Sequence, residues 1–310
     1  MNYSKDQAEM IEDKSEITRD DTAIAFVGSS GNHLAGNVHG EGVQTCLFLH
    51  GGGQTRHSWQ NTARLLSQGQ SGTGTRSILV DQRGHGQSDW VEDGGYAFAD
   101  FAADILTLAD TIRDRYQTGT IAIGASLGGL ASLMAELSRP GTLEALVLVD
   151  VVPWMEPSGI EKIQGFMGRK SLEGFATLEE AADAIAAYLP HRPRPKSLDG
   201  LRKNLRLGYD GRYRWHWDPR FLSGPRPINT GRETMASEVS EKLPGLECPV
   251  LLVRGARSEL ITQEAAERFL REVPHAEYAD VTDAGHMVAG DNNDIFSKVV
   301  LEFVGKLKSP

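Results

Sequence analysis

Cysteine is scarce in this chain: Cys46 and Cys248 are the only two among 310 residues. Two thiols cannot build a disulfide framework. Both abut apolar runs (Leu47-Phe48-Leu49 and Val250-Leu251-Leu252-Val253), so each reads as a buried, reduced thiol. No run approaches the roughly 18 apolar residues of a membrane span. The N-terminal stretch has no apolar segment of the secretory kind, so a soluble, cytoplasmic protein is expected. Cations are outnumbered, with 32 Lys and Arg against 42 Asp and Glu and a formal net charge of −10. General nucleic-acid binding, which needs clustered cations, is therefore not expected. H-E-x-x-H and paired-cysteine motifs are missing, so no metal is expected. No G-x-G-x-x-G follows a strand pattern, so no nucleotide cofactor is expected either. What remains is ordinary globular composition, 40% hydrophobic and 24% charged, long enough for one large domain or two small ones.

Residues 1–21 carry seven acidic and three basic residues and read as a solvated lead-in. Beyond them, short apolar runs alternate with helical patterns. Strands are expected at 22–27, 45–50, 76–81, 120–124, 143–150, 249–254 and 276–281. Several are continuous runs of Val, Ile and Leu, as in parallel strands covered on both faces. In 98–116, Phe98, Phe101, Ala102, Ile105, Leu108, Ala109 and Ile112 recur every three or four residues and define one helix face. Segments 126–138, 263–272 and 294–307 read similarly, so the fold class is α/β with a mainly parallel sheet. The alternation stops between 153 and 243, a proline-rich interval with one clear helix pattern, at 178–188. Structureless connections of that length are uncommon in compact domains, so this interval reads as a cap inserted between two core strands.

Three motifs carry chemistry. Gly124-Ala125-Ser126-Leu127-Gly128 fits G-x-S-x-G. Alone the pattern is weak in a chain with 34 glycines. Here a strand runs into it and a small-residue helix leaves it, the arrangement that lifts a serine hydroxyl above a sheet at a helix N-terminus. His50-Gly51-Gly52-Gly53 follows another strand, where side-chain-free residues let a backbone N–H face a substrate oxygen. The expected oxyanion hole combines the amide of Gly52, or alternatively Gly53, with that of Leu127. The third motif, Asp81-Gln82-Arg83-Gly84-His85-Gly86-Gln87-Ser88-Asp89, reads as a polar turn beside the site, with His85 structural. A serine nucleophile needs a base, and histidine has a suitable pKa. Of nine histidines, His286 in Ala284-Gly285-His286-Met287 lies on a loop after the last strand and is the expected base. His275 precedes that strand and should lie at the opposite edge.

H-G-G-G, D-Q-R-G-H-G-x-S-D, G-x-S-x-G and a late G-H, in this order, resemble the α/β-hydrolase superfamily, over roughly residues 22–305. The resemblance implies a mostly parallel sheet flanked by helices, with a core of 22–152 and 244–310 and a mainly helical cap of 153–243. It also raises a question about the acid of the triad. The common position is the fourth residue of a G-x-x-D loop, but here Gly255-Ala256-Arg257 is followed by Ser258, with Glu259 one place later. The other family position is the end of the strand before the cap, where Asp150 begins an Asp-x-x-Pro. A subset of capped esterases resembles that second arrangement. Asp150 is favoured, with Glu259 as the alternative. Gly53, Trp154, Trp215 and Met287 are the expected substrate contacts.

From His191 to Arg232 the chain holds eleven Lys or Arg against Asp199, Asp210 and Asp218, a +8 stretch with five aromatic residues. One reading is a solvated cationic face paired with acidic core surface. The other is a pocket for an aromatic substrate with a free carboxylate. The resemblance therefore points to a cofactor-free serine esterase acting on a small carboxylic ester, with the monoalkyl phthalate hydrolases as the nearest group. A C–C bond hydrolase of aromatic meta-cleavage products and a cofactor-free haloperoxidase remain alternatives, and a non-catalytic ligand receptor ranks last. The expected partner is a small-molecule ester, with no nucleic acid and no membrane; a homo-oligomer stays open.

Overall fold

The computed structural model describes residues 21–68, 74–190, 197–282, 284–288 and 293–307. Residues 1–20 of the lead-in, and the cap cations Arg192, Arg194 and Lys196, lie outside the described residues. In chain order the first half comprises β1 (Asp21–Val27), β2 (His33–His39), β3 (Gln44–Leu49), α1 (Gln60–Gln68), β4 (Thr75–Val80), α2 (Phe98–Tyr116), β5 (Thr120–Ala125), α3 (Leu127–Ser138) and β6 (Ala145–Val149). Then come α4 (Pro157–Gly168), α5 (Leu178–Tyr188), β7 (Leu205–Leu207), β8 (Tyr213–Trp215), α6 (Arg220–Ser223) and α7 (Arg232–Lys242). The chain closes with β9 (Val250–Gly255), α8 (Gln263–Glu272), β10 (Glu277–Val281) and α9 (Asn293–Lys306).

Eight strands form one sheet in the order β1-β2-β4-β3-β5-β6-β9-β10. All neighbours are parallel except at β2, which runs against both β1 and β4. The central strands are apolar along most of their length because alternate side chains enter two different cores. Leu47, Ala122, Leu146, Leu148 and Leu252 pack with α2, α3, α7 and α8 on one face. Cys46, Phe48, Ile121, Ile123, Val147 and Val253 pack with α1 and α9 on the other. Both cysteines are buried, and burial pushes the Cys248 thiol up to about 12. β2 has no such run; its His, Asn and Gly positions hide it from a hydrophobic pattern.

Because the strands from β3 to β10 run parallel, the segments after β3, β4, β5, β6 and β10 emerge on one edge of the sheet. His275, before β10, bonds the Cys248 carbonyl before β9 at 3.0 Å, and so lies at the other edge as expected. The connection from β6 to β9 carries α4 to α7 and the antiparallel β7–β8 pair. Ile163, Met167, Ile185, Trp215 and Phe221 of α4, α5, β8 and α6 border the same cavity as Ser126 and His286, so these elements, with β7 paired to β8, lie over the carboxyl edge. α7 differs: it packs on α3 and forms the crossover that returns the chain to the start of β9. Among the described residues, no helix is long and apolar enough to cross a membrane.

Candidate active site

β5 ends at Ala125 and α3 begins at Leu127, leaving Ser126 alone in the turn with φ 45° and ψ −108°. That conformation is costly for an L-residue and persists only where its surroundings impose it. They do so through close approach. A Cβ on Gly124 would meet the backbone of Gly128 and Gly129, and one on Gly128 would meet the carbonyl of Leu49 in β3. Only glycine lets strand and helix come this near. Gly128→Ala should therefore destabilise the fold by about 1–3 kcal/mol, read as a lowered Tm, because none of those obstructing backbone atoms can swing aside.

Asp150, directly after β6, is fully buried and also sits at positive φ, 49°. Its Oδ1 accepts the N–H of Gly255 at 2.9 Å. Its Oδ2 lies 2.7 Å from Nδ1 of His286 and accepts the Ser258 hydroxyl at 2.6 Å. The Ser258 Oγ itself accepts the N–H groups of Leu260 and Ile261, both at 3.1 Å, so its single proton is directed at Asp150. Three donors thus satisfy a carboxylate that burial would otherwise penalise. Glu259 takes no part: its exposed carboxylate bonds Nζ of Lys162 at 2.6 Å. With Nδ1 of His286 facing Asp150, Nε2 is the nitrogen left for Ser126, which lines the same cavity.

The loop after β3 is latched to the loop after β4 by two histidines. His50 donates from Nδ1 to the Gly51 carbonyl at 2.8 Å and accepts the Gln82 N–H at Nε2 at 3.0 Å. His85 donates from Nδ1 to the Arg83 carbonyl at 2.9 Å and accepts the Gly53 N–H at Nε2 at 3.0 Å. Burial, with His50 close by, pulls His85 down to about 3, so it stays a neutral acceptor. Its role is structural, as the sequence suggested. Burial would raise the Asp81 carboxyl, but the Arg56 guanidinium paired with it, His50 and the backbone N–H groups of Arg56 and Gln87 together outweigh that and hold it low. Gly53 therefore has no free N–H to offer an oxyanion. That of Gly52 meets no acceptor among the described residues, and that of Leu127 sits in the first turn of α3, where helices leave N–H groups unpaired.

Ser126, His286, Gly52, Gly53, Leu127, Trp215 and Met287 all border one cavity of about 410 Å³. Met287 is tied to the loop after β3 through its sulfur, which accepts from Nε2 of Gln54 at 3.0 Å. Trp154 is a correction. It is absent from the cavity wall, because its ring stacks beneath the Arg268 guanidinium of α8 at 3.5 Å, and its neighbour Met155 faces the cavity instead. Ile160, Ile163, Phe166 and Met167 of α4 also line it and were not foreseen. Their spacing of three and four marks a helix face, obscured in the sequence by Gly159, Gly165 and Gly168.

The cationic stretch mostly follows the first of its two readings, a solvated face with paired charges. Arg214 pairs with Asp210, Arg220 with Asp218 and Arg226 with Asp100. Arg212 donates to the carbonyls of Glu173 and Gly174, Arg206 lies over Trp90 and Arg202 faces the Tyr213 ring. Lys203 bonds Gln60. Charge counted along the sequence is thus mostly engaged away from the cavity. Of the described cations in this stretch only Arg232 lines it.

Comparison with known proteins agrees with this layout. The Alpha/beta hydrolase family model matches residues 46–299. Esterase Rv0045c of Mycobacterium tuberculosis is 28% identical over 259 residues, which is 82% of this chain and 80% of that protein. The 2-(acetamidomethylene)succinate hydrolase of Mesorhizobium japonicum is 30% identical over 231 residues, 74% of this chain and 78% of that protein. A crystal structure of E-2-(acetamidomethylene)succinate hydrolase superposes with a TM-score of 0.76 at 24% identity, covering 92% of this chain and 99% of that one.

Proposed function

The chain belongs to the alpha/beta hydrolase family, and we propose that within it the protein is a serine esterase working through an acyl-enzyme. The observation that carries this reading is the convergence, on one cavity, of Ser126 in its strained turn and His286 held by Asp150. Ser126 Oγ attacks the ester carbonyl while Nε2 of His286 takes its proton. Asp150 fixes the imidazole and stabilises its cationic form. The N–H groups of Gly52 and Leu127 receive the charge that develops on the carbonyl oxygen. His286 then protonates the leaving alkoxide, and water activated by the same nitrogen releases the acid.

The cavity walls are largely apolar, so the substrate has a bulky apolar body. We infer that it also carries a free carboxylate, as in a monoalkyl phthalate. The relative named for hydrolysing 2-(acetamidomethylene)succinate supports an anionic substrate. Residues 153–231 would act as the cap that shapes this choice. The reading predicts that a fluorophosphonate probe labels wild-type protein at Ser126 and that p-nitrophenyl butyrate is turned over. A folded sample that neither labels nor hydrolyses would end it. Turnover of a vinylogous diketo acid without ester cleavage would replace it with C–C hydrolysis.

A further inference from the structure

We propose that Arg232 is the specificity-determining residue of this site, forming with Gln164 and Asn229 a subsite for the second, non-reacting carboxylate of the substrate. This rests on the esterase reading and specifies the class within it: half-esters of dicarboxylic acids, with an apolar spacer between the reacting carbonyl and the free acid.

Three observations converge. First, the Arg232 guanidinium has no carboxylate, carbonyl or ring partner among the described residues, whereas the other described cations of the 191–232 stretch have one. A partly desolvated cation facing apolar walls is unfavourable until an anion meets it, and burial does lower the Arg232 pKa. Second, among the described residues no Asp or Glu lines the cavity, so none of them competes for that cation or repels an incoming carboxylate. Third, the polar groups near Arg232 are organised. Gln164 and Asn229 exchange two amide hydrogen bonds, 2.9 and 2.8 Å, between α4 and the turn before α7. The Arg232 N–H donates to the Asn229 carbonyl at 3.2 Å. All three residues line the cavity, so one patch of its wall is polar and cationic while the rest is predominantly apolar. A guanidinium there can hold a carboxylate with two parallel hydrogen bonds. A volume of about 410 Å³ suits a small ligand that spans from this patch to Ser126.

The test compares monobutyl phthalate with dibutyl phthalate, which share the ring and the scissile bond. Wild type should favour the half-ester in kcat/KM. Arg232→Gln should lower the ratio of the two kcat/KM values about 10- to 100-fold, mainly through KM for the half-ester. Arg232→Lys keeps the charge but not the fork, and should recover only part of the ratio. Arg226→Gln, a cap cation paired with Asp100 outside the cavity wall, should leave the ratio where it is. An unchanged ratio in Arg232→Gln, or an equal shift in Arg226→Gln, would overturn the assignment. If wild type cleaves p-nitrophenyl butyrate but prefers the diester, Arg232 loses this role and the esterase reading stands. If wild type cleaves none of the three esters, the esterase reading fails first.

Discussion

Replacing Ser126 by alanine should lower kcat on any cleaved ester by on the order of 10⁵-fold or more, because no other nucleophile replaces the lost hydroxyl. The loss should come without unfolding, since among the described residues the hydroxyl makes no hydrogen bond that holds the turn together; its backbone does that, through Ser126 N–H to the Val149 carbonyl at 3.1 Å and Leu130 N–H to the Ser126 carbonyl at 2.9 Å. The turn offers a second reading of the same site. Alanine at φ 45° and ψ −108° keeps the strain of the serine, while glycine relieves it. Ser126→Gly should therefore be as inactive as Ser126→Ala yet more stable by about 1 kcal/mol, seen as a higher Tm. Equal melting temperatures for the two variants would mean that the turn is not under the strain its angles indicate. Residual esterase activity within tenfold of wild type would remove Ser126 from the chemistry.

The second large effect concerns the acid. Asp150→Asn should reduce kcat about 10⁴-fold, because an amide cannot stabilise the imidazolium and favours the wrong tautomer of His286. Glu259→Gln should change little, given that Glu259 faces Lys162 in solvent. The Ser258 contact makes the experiment sharper. Its Oγ lies 2.6 Å from the same Asp150 oxygen that His286 faces, so a carboxylate built from position 258 starts within reach of that spot. Asp150→Asn combined with Ser258→Asp should recover tenfold or more of the lost kcat. Full activity in Asp150→Asn alone would move the acid elsewhere; failure of the double variant in a folded protein would show that the Ser258 side cannot present a carboxylate to Nδ1.

The sheet was legible from sequence where both of its faces are covered. Runs such as Leu47-Phe48-Leu49 and Val250-Leu251-Leu252-Val253 announce themselves because every residue is buried. β2 was not legible, since an antiparallel strand near the sheet's margin tolerates His33, Asn37 and His39. α1 escaped for a similar reason: its buried face amounts to Thr62, Ala63 and Leu66 among polar neighbours. The meeting of Ser126 and His286 at one cavity could be anticipated because each follows a strand that ends on one edge, and motif order specified which strand. The acid could not be decided between Asp150 and Glu259, because two adjacent strand ends offer a carboxylate and only side-chain direction separates them. Trp154 failed on direction too, as a residue beside a strand end has one chance to face inward and Met155 took it. The +8 stretch left two readings open for a different reason: a sequence shows how many charges there are, while partners such as Asp210, Asp218 and Asp100 decide which remain available.

The packing of α7 on α3 sets where inheritance of substrate choice divides. The elements that lie over the sheet edge end before Gly231, and α7 begins on the core side of that boundary with Arg232 as its first residue. Transplanting residues 153–230 from a relative would thus import a new contour for the acyl or alkyl body. The Arg232 guanidinium would stay behind, anchored to the same layer as Ser126, while Gln164 and Asn229 would be exchanged with the lid. Such chimeras would keep the cation and exchange both the contour and the amides around it, so any change in preference for an anionic ester would report on the lid's share of the subsite.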